Sequence, residues 1–190
     1  MLYHASQTPD IKQLTPHISN HGKPLVYFSS KPENVLVYLS NAVEKYCREK
    51  GFPHGGSFHK WGPYGFTKDG LLCLDEYWPN ALKETYMGVS GYIYTVSRSD
   101  FFAPMQDIPF AFTSTRPVPV LSCEFIPDAY QALLSAANEG KIILTPYDRN
   151  NPRKLDWIKA VITEEYEKSQ DSPEYRFFLR EHVDFLHSSQ

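Results

Sequence analysis

Residues 24–51 read PLVYFSSKPENVLVYLSNAVEKYCREKG, and this stretch decides the fold class. The run from Pro24 to Ser29 is rich in β-branched and aromatic residues and predicts a core strand. Ser30, followed three residues later by Glu33, matches a capping box at the start of a helix. Apolar residues then recur at helical spacing until Gly51, namely Val35, Tyr38, Leu39, Ala42, Val43 and Tyr46. The stretch therefore predicts a strand followed by a helix over 31–50.

Further strands and helices are predicted on both sides of this unit. Strands are expected over residues 1–4, 71–76, 92–96 and 118–126, with irregular segments at 11–22, 52–70 and 101–112. Residues 78–88 fit neither class. A short helix is expected after Pro127, and cap residues followed by proline predict two more, starting at Asn151-Pro152 and at Ser172-Pro173. In these two helices the apolar positions are expected to be buried: Leu155, Ile158, Ile162, Tyr166, Phe177, Phe178 and Leu186. The whole is an α+β protein, with a core over residues 1–135 and a helical carboxy-terminal extension over 136–190 packed on it.

The composition bounds the class of protein. The chain has 190 residues, of which 42% are hydrophobic and 15% aromatic, which is enough for a substantial core and argues against disorder. The net charge is −3 and the sequence contains no block of basic residues, so no duplex nucleic acid partner is expected. Three scattered cysteines, no metal-ligand spacing, no signal peptide and no apolar stretch of membrane length lead us to expect a reduced cytoplasmic protein without a bound metal or a membrane partner.

Four segments that are far apart in the chain carry residues suited to one pocket. In order they are Leu2-Tyr3-His4-Ala5-Ser6, Val26-Tyr27-Phe28-Ser29, Tyr38, and Cys123-Glu124-Phe125-Ile126. The two tyrosines stand 11 residues apart, and the glutamate follows 86 residues after the second tyrosine. This order and spacing resemble the ADP-ribosyltransferase fold of the diphtheria-toxin and poly(ADP-ribose) polymerase branch, of which the chain looks like a divergent bacterial-type member.

The resemblance implies a fold, a substrate and a role for each residue. It implies a split β-sheet core that binds NAD as substrate and transfers ADP-ribose to an acceptor or to water. His4 would hold a ribose hydroxyl, the backbone at Ala5 would hold the nicotinamide carboxamide, and Tyr27 and Tyr38 would frame the nicotinamide ring. Glu124, with His4, would be catalytic, because a carboxylate stabilises the positive charge that develops as nicotinamide leaves. Ser6 and Ser29 complete the implied NAD-binding set; the acceptor stays open between a protein, a nucleic-acid end and a small molecule.

Each of these residues also has an ordinary structural interpretation. His4 fits a surface position on an edge strand, the two tyrosines fit core packing, and Glu124 fits the solvated face of a strand. Val35 stands where the polymerase branch has a carboxamide-binding serine, and Ala5 stands where the branch has glycine. Two other functions therefore stay open: a nucleotide- or partner-binding module that keeps the fold without catalysis, and an interaction module that docks through its helical tail. Four ring residues of the 52–70 segment fit either a cover over a bound nucleotide or a bare loop: His54, His59, Trp61 and Tyr64.

Overall fold

The computed structural model describes residues 1–18, 22–54 and 64–187. Its strands are β1 (Leu2–Ser6), β2 (Gln13–Leu14), β3 (His17–Ile18), β4 (Pro24–Ser29), β5 (Tyr64–Phe66), β6 (Leu72–Asp75), β7 (Gly91–Val96), β8 (Ala103–Pro104), β9 (Ala111–Ser114), β10 (Val118–Pro119), β11 (Ser122–Ile126) and β12 (Ile142–Thr145). Its α-helices are α1 (Ala42–Lys50), α2 (Ala81–Tyr86), α3 (Ala129–Asn138), α4 (Pro152–Lys168) and α5 (Pro173–His182). Three segments are 3-10 helices: Pro32–Leu39, Tyr147–Arg149 and Asp184–His187. The α+β class expected from the sequence is confirmed.

One seven-stranded antiparallel sheet forms the body of the described chain. Its strand order is β11-β7-β1-β4-β9-β8, and β3 pairs with the outer part of β4. A second sheet has the order β12-β6-β5, in which β12 runs parallel to β6. Strands β10 and β2 form a small ribbon of their own. The amino-terminal strand β1 thus lies in the middle of the main sheet, with β7 on one side and β4 on the other.

The two faces of the main sheet bury different apolar clusters. On one face, Ala5 and Ile93 pack under the 3-10 helix 32–39 and α3. On the other face, Leu2, Phe28 and Tyr94 form a separate cluster. Residues directly opposite each other on neighbouring strands share a face, so the strand register assigns each paired side chain of the sheet to one face or the other. We call the first of these the helix face, because the 3-10 helix 32–39 covers it.

The helix predicted over 31–50 is two helices. A 3-10 helix covers Pro32–Leu39, the chain is extended at Ser40 and Asn41, and α1 then begins at Ala42. The predicted capping box is wrong, because Lys31 is the cap residue of the first helix and no side chain caps it. The break arises because Asn41 adopts an extended backbone and its side-chain oxygen accepts hydrogen bonds from the N–H groups of Val43 and Glu44, which starts a new helix. The predicted end at Gly51 is confirmed, and φ there is 71°.

Several of the irregular segments contain short strands. Strands β2 and β3 lie within 11–22, and β8 and β9 lie within 101–112. The strand predicted over 118–126 is divided into β10 and β11, which pair with different partners. The segment 78–88, which fitted neither class, contains helix α2. In the 52–70 segment, residues 64–66 form β5, whereas His59 and Trp61 lie outside the described residues.

The carboxy-terminal part is joined to the core more closely than the predicted boundary implies. The boundary at residue 135 falls inside α3, and β12, which follows it, adds a strand to the sheet of β6. Helices α4 and α5 pack on Tyr46 and Trp78 from the amino-terminal part. Within α5, Phe178 is buried but Phe177 is half exposed, so the prediction that Phe177 is buried is wrong. The extension is therefore not purely helical, and it completes the cores of the preceding part.

Candidate functional site

A seam separates β1 from β4 at the centre of the main sheet. Strand β1 pairs with β7 at every position from Leu2 to Ser6. In the described chain, β1 pairs with β4 at a single position, Tyr3 opposite Ser29. Beyond Tyr3 the ladder between these two strands ends, so the backbone of β1 from His4 to Ser6 borders β4 without regular pairing. A strand edge of this kind offers backbone N–H and C=O groups to a ligand.

His4 lies in this seam and connects its two sides. Its Nδ1 is 2.8 Å from the carbonyl oxygen of Tyr27, and its ring packs against Phe28 with 5.9 Å between ring centroids. Because a carbonyl only accepts, Nδ1 carries the proton, which leaves Nε2 of the neutral ring as an acceptor. Burial lowers the pKa of His4, and the nearby His17 lowers it further, while the hydrogen bond to Tyr27 opposes them. His4 is therefore a neutral imidazole with a fixed tautomer at physiological pH.

Tyr27 and Tyr38 come together on the helix face. Tyr27 lies two residues before Ser29, which pairs with Tyr3, so Tyr27 and Tyr3 share that face. Tyr38 belongs to the 3-10 helix 32–39 and is 48% exposed, although most of its neighbours in that helix are buried. The pKa of Tyr38 is raised, first by desolvation of its hydroxyl and then by the nearby phenol of Tyr27. The structure therefore brings the strand tyrosine and the helix tyrosine of the predicted site close to each other.

Two further tyrosines extend this pair. Tyr64 meets Tyr38 edge to face, with 6.3 Å between ring centroids, and burial together with Tyr38 raises the pKa of Tyr64. Tyr86 donates a hydrogen bond from its hydroxyl to the carbonyl oxygen of Val37 at 3.2 Å, which ties α2 to the 3-10 helix 32–39. Tyr64 stood among the loop residues that the sequence offered as a cover. Tyr86 lies in the segment that the sequence left unassigned, and no spacing signal connected it with the site.

The small residues of the predicted site are engaged in local structure. Ala5 is buried opposite Ile93. The hydroxyl oxygen of Ser6 accepts a hydrogen bond from the N–H of Thr8, and that of the buried Ser29 accepts one from the N–H of Lys31, both at 3.1 Å. Both hydroxyls thus shape the turns that leave β1 and β4.

Glu124 lies apart from this group. It sits on β11, the edge strand, and is exposed. The register places Glu124 opposite Ile93 and Ile93 opposite Ala5, so Glu124 is on the helix face, two strands from β1. Two strand spacings amount to about 10 Å. His4 pairs with Tyr94 and so belongs to the opposite face of the sheet. The structure thus groups Tyr27 and Tyr38 on the helix face and leaves Glu124 on that same face, about two strand spacings from β1. The side chain of His4 lies on the opposite face and bonds the backbone carbonyl of Tyr27.

The residue that stands where the resembled family has a serine, Val35, also lacks a polar group. Val35 is 2% exposed and packs in the cluster under the 3-10 helix 32–39. A buried aliphatic side chain offers no hydrogen-bond donor or acceptor, so Val35 provides no polar contact to a ligand.

A cavity of about 560 Å³ adjoins the tyrosines. Tyr38 forms one wall of it, and the remaining lining comes from the junction of the two helices and the start of the following loop: Val37, Ser40, Asn41, Glu44, Arg48, Phe52 and His54. A volume of this size falls within the usual range of ligand sites. Sequence analysis missed Glu44 and Arg48, because charged positions on the polar side of a helix are usually solvated and carry no further signal.

Comparison with protein-family models, with curated proteins and with solved structures finds no match to this chain. Across residues 1–18, 22–54 and 64–187, no helix has the length and apolar character needed to cross a bilayer. The same residues contain no cluster of three or more histidine, cysteine or acidic side chains arranged to hold a metal ion.

Proposed function

We propose that this protein binds NAD at the seam between β1 and β4 and releases nicotinamide from it, by ADP-ribosyl transfer to an acceptor or by hydrolysis. One observation carries the proposal. The ring of His4 bonds the Tyr27 carbonyl across the seam from one face of the sheet. The rings of Tyr27 and Tyr38, which come from separate elements, lie together on the other face, beside the place where β1 loses its pairing with β4. The order and spacing of these residues in the sequence are those that suggested the family resemblance.

In this proposal each group has a defined task. Nε2 of His4 accepts a hydrogen bond from a ribose hydroxyl, and the backbone at Ala5 pairs with the carboxamide. The rings of Tyr27 and Tyr38 frame the nicotinamide, and stacking of this kind contributes about 0.5–1.5 kcal/mol beyond area burial. The exposed carboxylate of Glu124 approaches the ribose and stabilises positive charge as the bond from C1′ to the nicotinamide nitrogen breaks. The bonding electrons leave with nicotinamide, which departs as the neutral base. An oxygen of water, or the nucleophilic atom of the acceptor, then forms the new bond at C1′, and its proton passes to solvent.

Nicotinamide release from NAD tests the catalytic part of the proposal. Glu124→Gln removes the charge and keeps the shape, so release should fall by about 10²–10³-fold while NAD affinity changes little. Glu167→Gln is the matched control, because Glu167 is an exposed glutamate on α4 with no side-chain partner among the described residues. Equal rates for Glu124→Gln and the wild type would remove Glu124 from the mechanism.

A second function is favoured by two observations on the same site. Val35 offers no donor to the carboxamide, and Glu124 belongs to a different face of the sheet from His4. Both observations fit a module that binds a nucleotide at the seam without cleaving it. Saturable NAD binding with no nicotinamide release above the buffer rate, in the wild type as well as in Glu124→Gln, is the result that selects this function.

A further inference from the structure

The cavity beside Tyr38 differs in character from the seam. Three of its lining side chains are rings, from Tyr38, Phe52 and His54. Phe52 is itself held in place by Phe177, which stacks on it at 5.7 Å between centroids, and by Tyr46 at 6.0 Å. Walls built from positioned rings favour a flat ligand, because every planar aromatic group offers a face for stacking.

The charged groups of the cavity indicate what kind of flat ligand fits. Glu44 and Arg48 stand four residues apart on α1, so they lie on one side of that helix. In the described chain, neither side chain forms a hydrogen bond or an ion pair. A carboxylate accepts hydrogen bonds and a guanidinium donates them, so together they match a ring edge that carries both donors and acceptors. Guanine has such edges, with N–H groups for a carboxylate and the O6/N7 pair that arginine binds in a bidentate manner.

The charged side chains of the cavity narrow the range of possible ligands further. The lining contributes one carboxylate, from Glu44, and one guanidinium, from Arg48, and these two formal charges cancel. The cavity lining thus offers no cluster of cations to a polyphosphate, so the ligand we infer is a nucleoside with at most one phosphate. The volume of about 560 Å³ suits a ligand of that size.

Tyr38 lies on the boundary between the cavity and the seam, since it lines the former and adjoins Tyr27 in the latter. We propose that the cavity is the acceptor site of the proposed reaction and that its acceptor is a nucleobase of the guanine type. An N–H nitrogen of the base forms the bond to C1′ as the bond to nicotinamide breaks and nicotinamide leaves with the electron pair, and the proton of that nitrogen passes to the carboxylate of Glu44 and then to solvent. The assignment as acceptor rests on the proposed function, whereas the affinity for the base does not. The purine stacks on Tyr38 and Phe52, Glu44 accepts from its N–H groups, and Arg48 donates to its O6/N7 edge.

Calorimetric titration with guanosine 5′-monophosphate tests this assignment. We expect saturable binding to the wild type, no measurable binding of ribose 5-phosphate, and weaker binding of adenosine 5′-monophosphate. Phe52→Leu and Arg48→Met should each weaken binding roughly tenfold to a hundredfold, as removal of a stacking ring or a bidentate contact does. Two controls lie outside the cavity on the described surface, Phe101→Leu and Arg153→Met, and both should bind like the wild type.

Repeating the titration with saturating NAD separates the two proposals. Unchanged affinity for guanosine 5′-monophosphate supports an acceptor site beside the donor site, whereas competition by NAD makes the cavity part of the donor site and overturns the assignment. Absence of binding with and without NAD, or equal binding by wild type, Phe52→Leu and Arg48→Met, also overturns it. If the nucleotide binds with the expected variant pattern while NAD does not bind at all, the proposed function fails and the nucleobase site stands.

Discussion

Replacement of Gly91 by alanine tests the packing that positions Tyr38. A Cβ atom at Gly91 would lie 2.6 Å from Cδ2 of Leu39 and 3.0 Å from the carbonyl oxygen of Ser6. Carbon atoms in favourable contact are about 3.5–4.0 Å apart, so Leu39 has to move by about 1 Å. Leu39 is completely buried, and its carbonyl oxygen accepts a hydrogen bond from Nε2 of Gln7. The side chain therefore has no open space to enter.

The expected loss of stability follows from two opposing effects. Overpacking of a close-packed core costs about 1–3 kcal/mol. Alanine recovers about 0.4–1 kcal/mol by restricting the unfolded chain. We therefore expect Gly91→Ala to lower the free energy of unfolding by about 1–2 kcal/mol, which corresponds to roughly 2–8 °C in Tm for a chain of this length. Gly65→Ala is the matched control, because Gly65 is also a strand glycine and a Cβ there meets nothing within 4 Å.

Urea denaturation followed by circular dichroism measures both variants, and a second substitution tests the cause. If the clash with Leu39 is responsible, Leu39→Val should cost less in the Gly91→Ala background than in the wild type, since valine lacks the atom that is struck. NAD affinity should fall in Gly91→Ala as well, because Tyr38 directly precedes Leu39. Equal stability of Gly91→Ala and Gly65→Ala, or strict additivity in the double mutant, would refute the proposed packing of the 3-10 helix 32–39 on β7.

Three other predictions concern caps, charge and the chain boundary. Asp128 accepts hydrogen bonds from the N–H groups of Gln131 and Gly88, and these bonds lower the pKa of its carboxyl. Asp128→Ala should therefore lower the free energy of unfolding by about 0.5–2 kcal/mol at neutral pH. The difference in stability between wild type and variant should shrink as the pH falls below 3.8 and through the lowered pKa, which urea titrations at a series of pH values measure. Burial lowers the pKa of His4 below 6.5, so the unfolded chain binds a proton there more readily; stability should fall as the pH drops through about 6.5, and His4→Gln should flatten that slope. A chain that ends at residue 135 lacks β12 and the helices that cover Tyr46, so it should show no cooperative unfolding transition in the same assay. A fully cooperative transition would instead support a domain boundary at residue 135.

The elements that sequence analysis predicted correctly are those with a local cause. Asn151 caps α4 by accepting a hydrogen bond from the N–H of Lys154 at 2.9 Å, and the proline that follows suits the first helical turn. Gly51 ends α1 in the left-handed conformation that glycine adopts without strain. Such signals lie within a few residues of the structure that they specify, and the sequence shows them directly.

The predictions from sequence are wrong where contacts between residues far apart in the chain determine the local structure. Five of the eight residues of the 3-10 helix 32–39 are buried, because sheet, α2 and α3 surround it, and one-sided helical periodicity does not describe a segment covered on several sides. The same limit applies to the site. Sequence spacing suggested that His4, Tyr27, Tyr38 and Glu124 belong together, but the strand order and register decide which face each one occupies. No sequence pattern indicates that β7 stands between β1 and β11.

The most direct test of the proposed NAD site is to locate nicotinamide on the protein by NMR. With the tyrosine rings assigned, intermolecular nuclear Overhauser effects from the nicotinamide protons of bound NAD identify the rings that enclose it. If the seam is the NAD site, we expect contacts to the rings of both Tyr27 and Tyr38, and the loss of these contacts in Tyr38→Leu without a large fall in Tm. Contacts confined to Tyr46 or Trp78 beneath the carboxy-terminal helices, or no contact with any ring at saturating NAD, would contradict the assignment of the seam as the NAD site.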